Sequence, residues 1–341
     1  MMKNWKKIII LLVIFVIFLV TFIYLNGGIN KTNNESEEPA DAASSEEIKL
    51  IDIDKDDITK IVLKREEGEI VLTLEERDVE TLTTNEDGTL TKETEKKMIW
   101  VNPYFDVDNY LVDDMVWYAT TDTTRRLINE NPDDPSVYGL NNTVVTTFVS
   151  KDGKESSIEI GSLSPLQDSY YVRRLDSPKV YTIDSYTGET LRYGKLDLMN
   201  KNIYGTEAVT FDDIDYLSYK RDGEHVFSAK KKSEEEWIIT DPDPEREAEI
   251  TEISKFLNWI STFRVKKFIA ENPSDLSLYG LDSPKYVFEF TLYDKTYRIM
   301  LGSKNESDYY GILDGRNTVF TVDGTYLNFV DLTLKDLQKR D

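Results

Sequence analysis

Residues 130–140 read ENPDDPSVYGL, and residues 271–281 read ENPSDLSLYGL. Eight of the eleven positions are identical at a spacing of 141 residues. The register continues outward in both directions. Ile160-Gly161 answers Leu301-Gly302, Tyr170-Tyr171 answers Tyr309-Tyr310, and Val180 to Ile183 answers Val319 to Val322. Asp197-Leu198 matches Asp336-Leu337; upstream, Trp100-Val101 matches Trp237-Ile238, and Ile58 to Ile61 matches Ile214 to Leu217. So many ordered blocks at a near-constant spacing are the signature of an internal duplication. The copies run over residues 48–203 and 204–341.

Within a copy, apolar and polar residues alternate. Ile58 to Lys64 and Glu69 to Leu74, separated by Glu67-Gly68, predict a β-hairpin, and Met98 to Val101 a short third strand. A helix follows. In the second copy Asp243 can cap it, Pro244 suits its first turn, and Ile250, Ile253, Leu257, Ile260 and Phe263 recur at helical spacing. In the first copy Val107, Tyr110, Leu111, Met115 and Tyr118 are the expected face. The repeated block then reads as a helix-to-strand connector, with Asn-Pro as a turn signal and Gly139 and Gly280 set for a left-handed backbone. Two hairpins follow in each copy, and a short helix closes it, over Ser185 to Tyr193 and Thr325 to Val330. The fold class is α+β, two tandem units of antiparallel sheet with a packed helix.

Ahead of the copies, Ile8 to Leu25 is an 18-residue run in which only Thr21 and Tyr24 carry polarity. As a helix it spans about 27 Å, enough for a bilayer core. It is longer than the apolar region of a cleavable signal peptide and lacks a small-residue cleavage pattern. Lys3, Lys6 and Lys7 precede it and Trp5 and Tyr24 flank it. The positive-inside rule therefore predicts a cytoplasmic N-terminus (residues 1–7), a transmembrane helix (8–26) and an extracytoplasmic remainder. Residues 27–47, GGINKTNNESEEPADAASSEE, have the composition of a flexible acidic linker. The expected location is the cell membrane, single-pass.

The chain has 64 Asp and Glu against 41 Lys and Arg, a net charge of −23, which argues against nucleic acid as a partner. There is no cysteine, which excludes disulfides, thiolate metal sites and a lipid-modified anchor. Asp52, Asp54, Asp56 and Asp57 start like a calcium loop, but Asp57 stands where the turn needs Gly and Leu63 where it needs Glu. His225 is the single histidine, beside an Asp222-Gly223 turn, so any Ser-His-Asp chemistry would have to run through it. Phosphate-binding glycine motifs are absent. No catalytic, cofactor or metal residues are expected. Tyr170, Tyr171, Tyr309 and Tyr310 are the candidate interaction surface, because one of two adjacent strand residues faces away from a one-sided core.

The anchor, the doubled ENP-D-S-YGL block, the strand ending in Ile-Gly or Leu-Gly, Tyr170 to Arg173 and Val180 to Ile183 together resemble the bacterial DUF4340 family. The resemblance covers both copies. It brings no catalytic residues, and it implies an auxiliary role beside ABC-2 type export systems. The expected function is a non-catalytic, membrane-anchored extracytoplasmic accessory protein whose partner is a transporter permease or auxiliary subunit. The alternatives are a surface module binding glycan or another polymer, and a two-carboxylate hydrolase.

Overall fold

The structure, a computed structural model, describes residues 48–85, 90–233 and 236–339. The expected membrane segment and linker lie outside the described residues. Among those that are described, no helix is long and apolar enough to cross a membrane.

The first copy is an eight-stranded antiparallel sheet. Its strands are β1 (Ile58–Arg65), β2 (Gly68–Thr84), β3 (Leu90–Val101), β4 (Arg126–Asn129), β5 (Val145–Ser150), β6 (Glu155–Leu163), β7 (Ser169–Arg174) and β8 (Val180–Asp184). In space the order is β3-β2-β1-β5-β6-β7-β8-β4. Helix α1 (Asn109–Thr121) therefore leaves one edge of the sheet and returns the chain to the opposite edge, crossing one face and burying it. Two short helices close the copy, α2 (Ser185–Leu191) and α3 (Lys195–Leu198).

The second copy repeats this topology strand for strand. Its strands are β9 (Ile214–Arg221), β10 (Glu224–Ser233), β11 (Glu236–Asp241), β12 (Arg246–Glu247), β13 (Lys267–Glu271), β14 (Tyr286–Leu292), β15 (Lys295–Asn305), β16 (Asp308–Leu313) and β17 (Thr318–Asp323). Their order is β12-β11-β10-β9-β14-β15-β16-β17-β13, the first copy's order with β12 added at one edge. Helix α4 (Ile250–Ser261) makes the crossing and α5 (Leu334–Leu337) ends the copy. Both copies belong to one compact unit.

Alternation decides which side of each strand is buried. In β14 the burial alternates strictly, with Tyr286, Phe288, Phe290 and Leu292 pointing to the core. Helix α4 lays Ile253, Phe256, Leu257 and Ile260 on this face, and Phe256 meets Phe329 edge-on at 4.5 Å. Each such side chain contributes about 1.5–3 kcal/mol through burial. The homologous stripe on α1 is Val112, Met115, Val116 and Ala119. The expected face through Tyr110 and Tyr118 is thus corrected: Tyr110 is exposed, because the buried stripe keeps helical spacing one position further round.

Four other expectations are corrected. The second helix begins at Ile250, not at Pro244, because the intervening residues first pair as β12 with Ile238 and Ile239. The repeated block follows a strand, β4 or β13, so it connects strand to strand. The segment after Asp323 is a single 3-10 turn, Gly324–Tyr326, rather than a helix through Val330. The third strand is not short: β2 and β3 stay paired from Thr73↔Val101 out to Thr84↔Leu90 and form a long arm.

That arm reaches the second copy. The Glu80 amide donates to Thr206 O at 3.3 Å, and Lys92 Nζ lies 2.7 Å from Asp213 and 4.6 Å from the Tyr293 ring centre. Each copy is also pinned by a homologous arginine. Arg65 is buried without a carboxylate; it donates to Leu191 O (2.9 Å), Tyr193 O (2.9 Å) and Val145 O (2.8 Å), and burial pulls its pKa down to about 10. Arg221, half-buried and 3.8 Å from Asp331, donates to Val330 O at 2.9 Å.

Candidate functional site

The four candidate tyrosines are half-buried. Tyr171 meets Tyr138 of the repeated block edge-on at 5.0 Å, and Tyr310 meets Tyr279 at 5.1 Å. Tyr170 and Tyr309 point to the other face, where Tyr170 packs on Gly188 and Tyr309 lies against Gly324 and Tyr286. Both faces of β7 and β16 are therefore covered, one by the helical layer and one by the repeated block. The same double cover explains why Val180 to Ile183 and Val319 to Val322 are buried at every position.

The block itself is a close-packed connector. Asp134 and Asp275 accept from the amides of Ser136 (2.9 Å) and Ser277 (2.8 Å), which starts a single 3-10 turn in each copy. Gly139 and Gly280 end it with φ of 73° and 66°. A Cβ there would stand 2.6 Å from Ser162 N in the first copy and 2.7 Å from Ser303 N in the second. Gly161 and Gly302 in turn meet the carbonyls of Tyr138 and Tyr279. The two glycine motifs of the sequence are thus the two sides of one backbone contact.

His225 lies on β10, in a shallow groove of about 410 Å³ on the sheet face away from α4. The structure brings it together with Asp241 (2.8 Å) and Ser228 (3.4 Å), but both approach the same nitrogen, Nε2. A Ser-His-Asp triad needs the carboxylate on one ring nitrogen and the hydroxyl on the other. The aspartates that begin like a calcium loop are engaged elsewhere: Asp52 pairs with Arg174 and Asp57 with Lys151, each at 2.6 Å. Among the described residues, no group of three or more His, Asp or Glu is placed to hold a metal ion.

A further cavity was not legible in either copy read alone. It is a cleft of about 750 Å³ in the second copy, between the C-terminal half of α4 and the turn after β17. Trp259, Phe263, Val265, Val322 and Phe329 make an apolar floor, and each is buried. The rim carries Lys255, Arg264 and Lys266, with Asn258, Asn328 and the exposed Tyr326. Each cation keeps one carboxylate nearby: Glu252 at 2.6 Å from Lys255, Asp308 at 2.8 Å from Lys266, and Asp108 at 3.6 Å from Arg264. The one lining carboxylate, Asp323, accepts from the Thr325 amide and hydroxyl, which holds its pKa below the usual carboxylate value.

In the first copy the corresponding place carries a tyrosine ring that is about half exposed, Tyr186. The spacing of 141 residues along the helices sets Trp259 opposite Tyr118, and the N-caps Asp184 and Asp323 set Thr325 opposite Tyr186. The ring of Tyr186 lies edge-on to Tyr118 at 5.3 Å, and the Thr187 hydroxyl donates to Asp122. The rim differs as well, since Lys255 stands where the first copy has Asp114, and Arg264 where it has Thr123. The available signal was this pair of differences between aligned copies.

A family model described as "Domain of unknown function (DUF4340)" matches residues 100–284 and, overlapping, residues 248–341. No curated protein and no solved structure matches the chain.

Proposed function

The chain belongs to the DUF4340 family, and on that premise we propose that it is a non-catalytic accessory protein, anchored in the cell membrane by residues 8–26. Its two repeats stand on the extracytoplasmic side and hold a partner beside an ABC-2 type export system. The observation that carries the reading is the cleft of the second repeat, an apolar floor under a rim of cations and amides. Such a surface supports binding rather than turnover. A two-carboxylate hydrolase needs a facing pair of acids, whereas Asp323 is the one carboxylate lining the cleft. The apolar run and its flanking lysines support the anchor.

The test is purification of the full chain in mild detergent after cross-linking in cells, followed by mass spectrometry of what is retained. A permease or auxiliary transporter subunit is the expected partner. Retention of no transporter component overturns the transporter assignment. A second reading, a module for glycan or another surface polymer, draws on exposed Tyr326, which lines the cleft with Asn258 and Asn328, the side-chain types that stack on and hydrogen-bond sugars. A glycan array without signal removes it.

A further inference from the structure

The first repeat holds, in its own chain, what the second repeat leaves out. At the place of the cleft a tyrosine ring, Tyr186, lies against the crossing helix at Tyr118. In the second repeat the residue at that position is Thr325, and the helix offers Trp259 in place of Tyr118. Thr325 brings no ring of its own, and Trp259, Phe263 and Phe329 line the cleft beside the exposed Tyr326. The rim has gained cations at the same time, with Lys255 in place of Asp114 and Arg264 in place of Thr123. These cations stand on a chain whose net charge is −23. An aromatic floor selects a ring, and a cationic rim selects acidic flanks.

We propose that the cleft of the second repeat takes the aromatic side chain of an acidic peptide segment on a partner protein, in the position that Tyr186 fills in the first repeat. The proposal rests on the reading of the chain as a protein that holds a partner, and it names the chemistry of the segment held. The ring enters between Trp259 and Thr325, and the acidic residues beside it face Lys255, Arg264 and Lys266. Screening by salt weakens the acidic contribution and leaves the ring's contribution in place.

The test uses the full chain in detergent micelles and a fluorescein-labelled peptide, Ser-Glu-Asp-Tyr-Glu-Asp-Ser, with fluorescence anisotropy as the readout. The expected Kd is on the order of 10–100 μM. Replacing the peptide's Tyr by Ala, or its four acids by Lys, is expected to weaken binding at least about tenfold. Thr325→Tyr, which restores the ring of the first repeat, is expected to block binding, and Lys255→Asp to weaken it several-fold with a reduced salt dependence. An undetectable affinity up to millimolar peptide overturns the proposal, as does an affinity indifferent to the peptide's Tyr. The peptide substitutions keep the test decisive even where Thr325→Tyr disturbs folding. A chain that retains a transporter subunit but ignores the peptide loses this inference alone. A chain that binds the peptide but retains no transporter subunit loses the transporter assignment alone.

Discussion

In the first repeat, Tyr118 meets Tyr186 and Asp122 meets Thr187 at the end of the helical layer. In the second repeat the corresponding Trp259, Thr325, Phe263 and Tyr326 line a cleft. A second difference lies on the opposite sheet face, under the repeated block. There the first repeat buries an ion pair, with Arg173 Nε 2.6 Å from the fully buried Glu159, whose other oxygen accepts from the Asn142 amide. The second repeat has Met300 and Ile312 at those positions, packed with Leu281 and Val319. The strand order is the same around both differences, although helix α2 of the first repeat gives way to a single 3-10 turn in the second. The connector glycines, the edge-on tyrosine pairs and the pinning arginines are common to the two copies, while the side chains between these fixed points have diverged. The shared set specifies the fold, and the divergent set is where separate tasks can be sought.

The largest expected effect tests the ion pair. Arg173→Ile leaves the buried Glu159 without its cation, and is expected to cost about 3–5 kcal/mol in denaturant unfolding of the full chain. Adding Glu159→Met converts the site to the second copy's chemistry, and is expected to return stability to the wild-type value or up to about 4 kcal/mol above it. A double variant no better than the single would mean that the copies differ in packing as well as in charge.

Next in size are the connector glycines. Gly139→Ala and Gly280→Ala each place a Cβ against a strand amide at positive φ. Each is expected to lose roughly 1–3 kcal/mol from backbone strain, with closely similar values because the geometry is shared. Unequal losses would break the equivalence of the two connectors.

A smaller effect is expected at the arm, which has no equal in the second repeat. Lys92→Ala removes the contacts with Asp213 and Tyr293, for about 1 kcal/mol or less, shrinking with salt. The smallest effect concerns acid. Hydrogen bonds from Arg174 hold the Asp52 and Asp176 carboxyls below their usual pKa. A depressed folded-state pKa contributes stability that is present above the ordinary carboxylate range and is lost as the pH falls through the lowered value. The second repeat has Leu313 in place of Arg174. Hydrogen exchange at acid pH should therefore speed up at Lys49 to Ile53 before it does at the matching start of the second repeat, Asn202 to Thr206.

The sequence carried the duplication, the antiparallel strands and the glycine turns, because these depend on local periodicity and on residues with restricted backbone. The phase of α1 was not legible, since Val112, Met115, Val116 and Ala119 compete with aromatic neighbours that satisfy a helical repeat nearly as well. The start of α4 was hidden for a related reason: Asp243-Pro244 makes an acceptable helix start, and only pairing with β11 overrides it. The arm was signalled by Asn85-Glu86-Asp87-Gly88 between threonine-rich segments, but its strands have no apolar face to mark them. The cleft lies where the copies differ both in a side chain and in the helix or turn that carries it, so it becomes visible only when the copies are laid over one another in space.

Strand β3 is the last strand of its sheet, and over Leu90 to Met98 it is exposed along its whole length. A bare edge of this length is ordinarily a template on which another molecule can add a strand and begin a fibril. Here the edge carries Lys92, Glu93, Glu95, Lys96 and Lys97. A second copy arriving in any register would have to bring charged side chains alongside one another and desolvate them. The arm can therefore remain a long, solvent-facing ribbon at high protein concentration without seeding aggregates, and neutralising its lysines and glutamates would remove that protection.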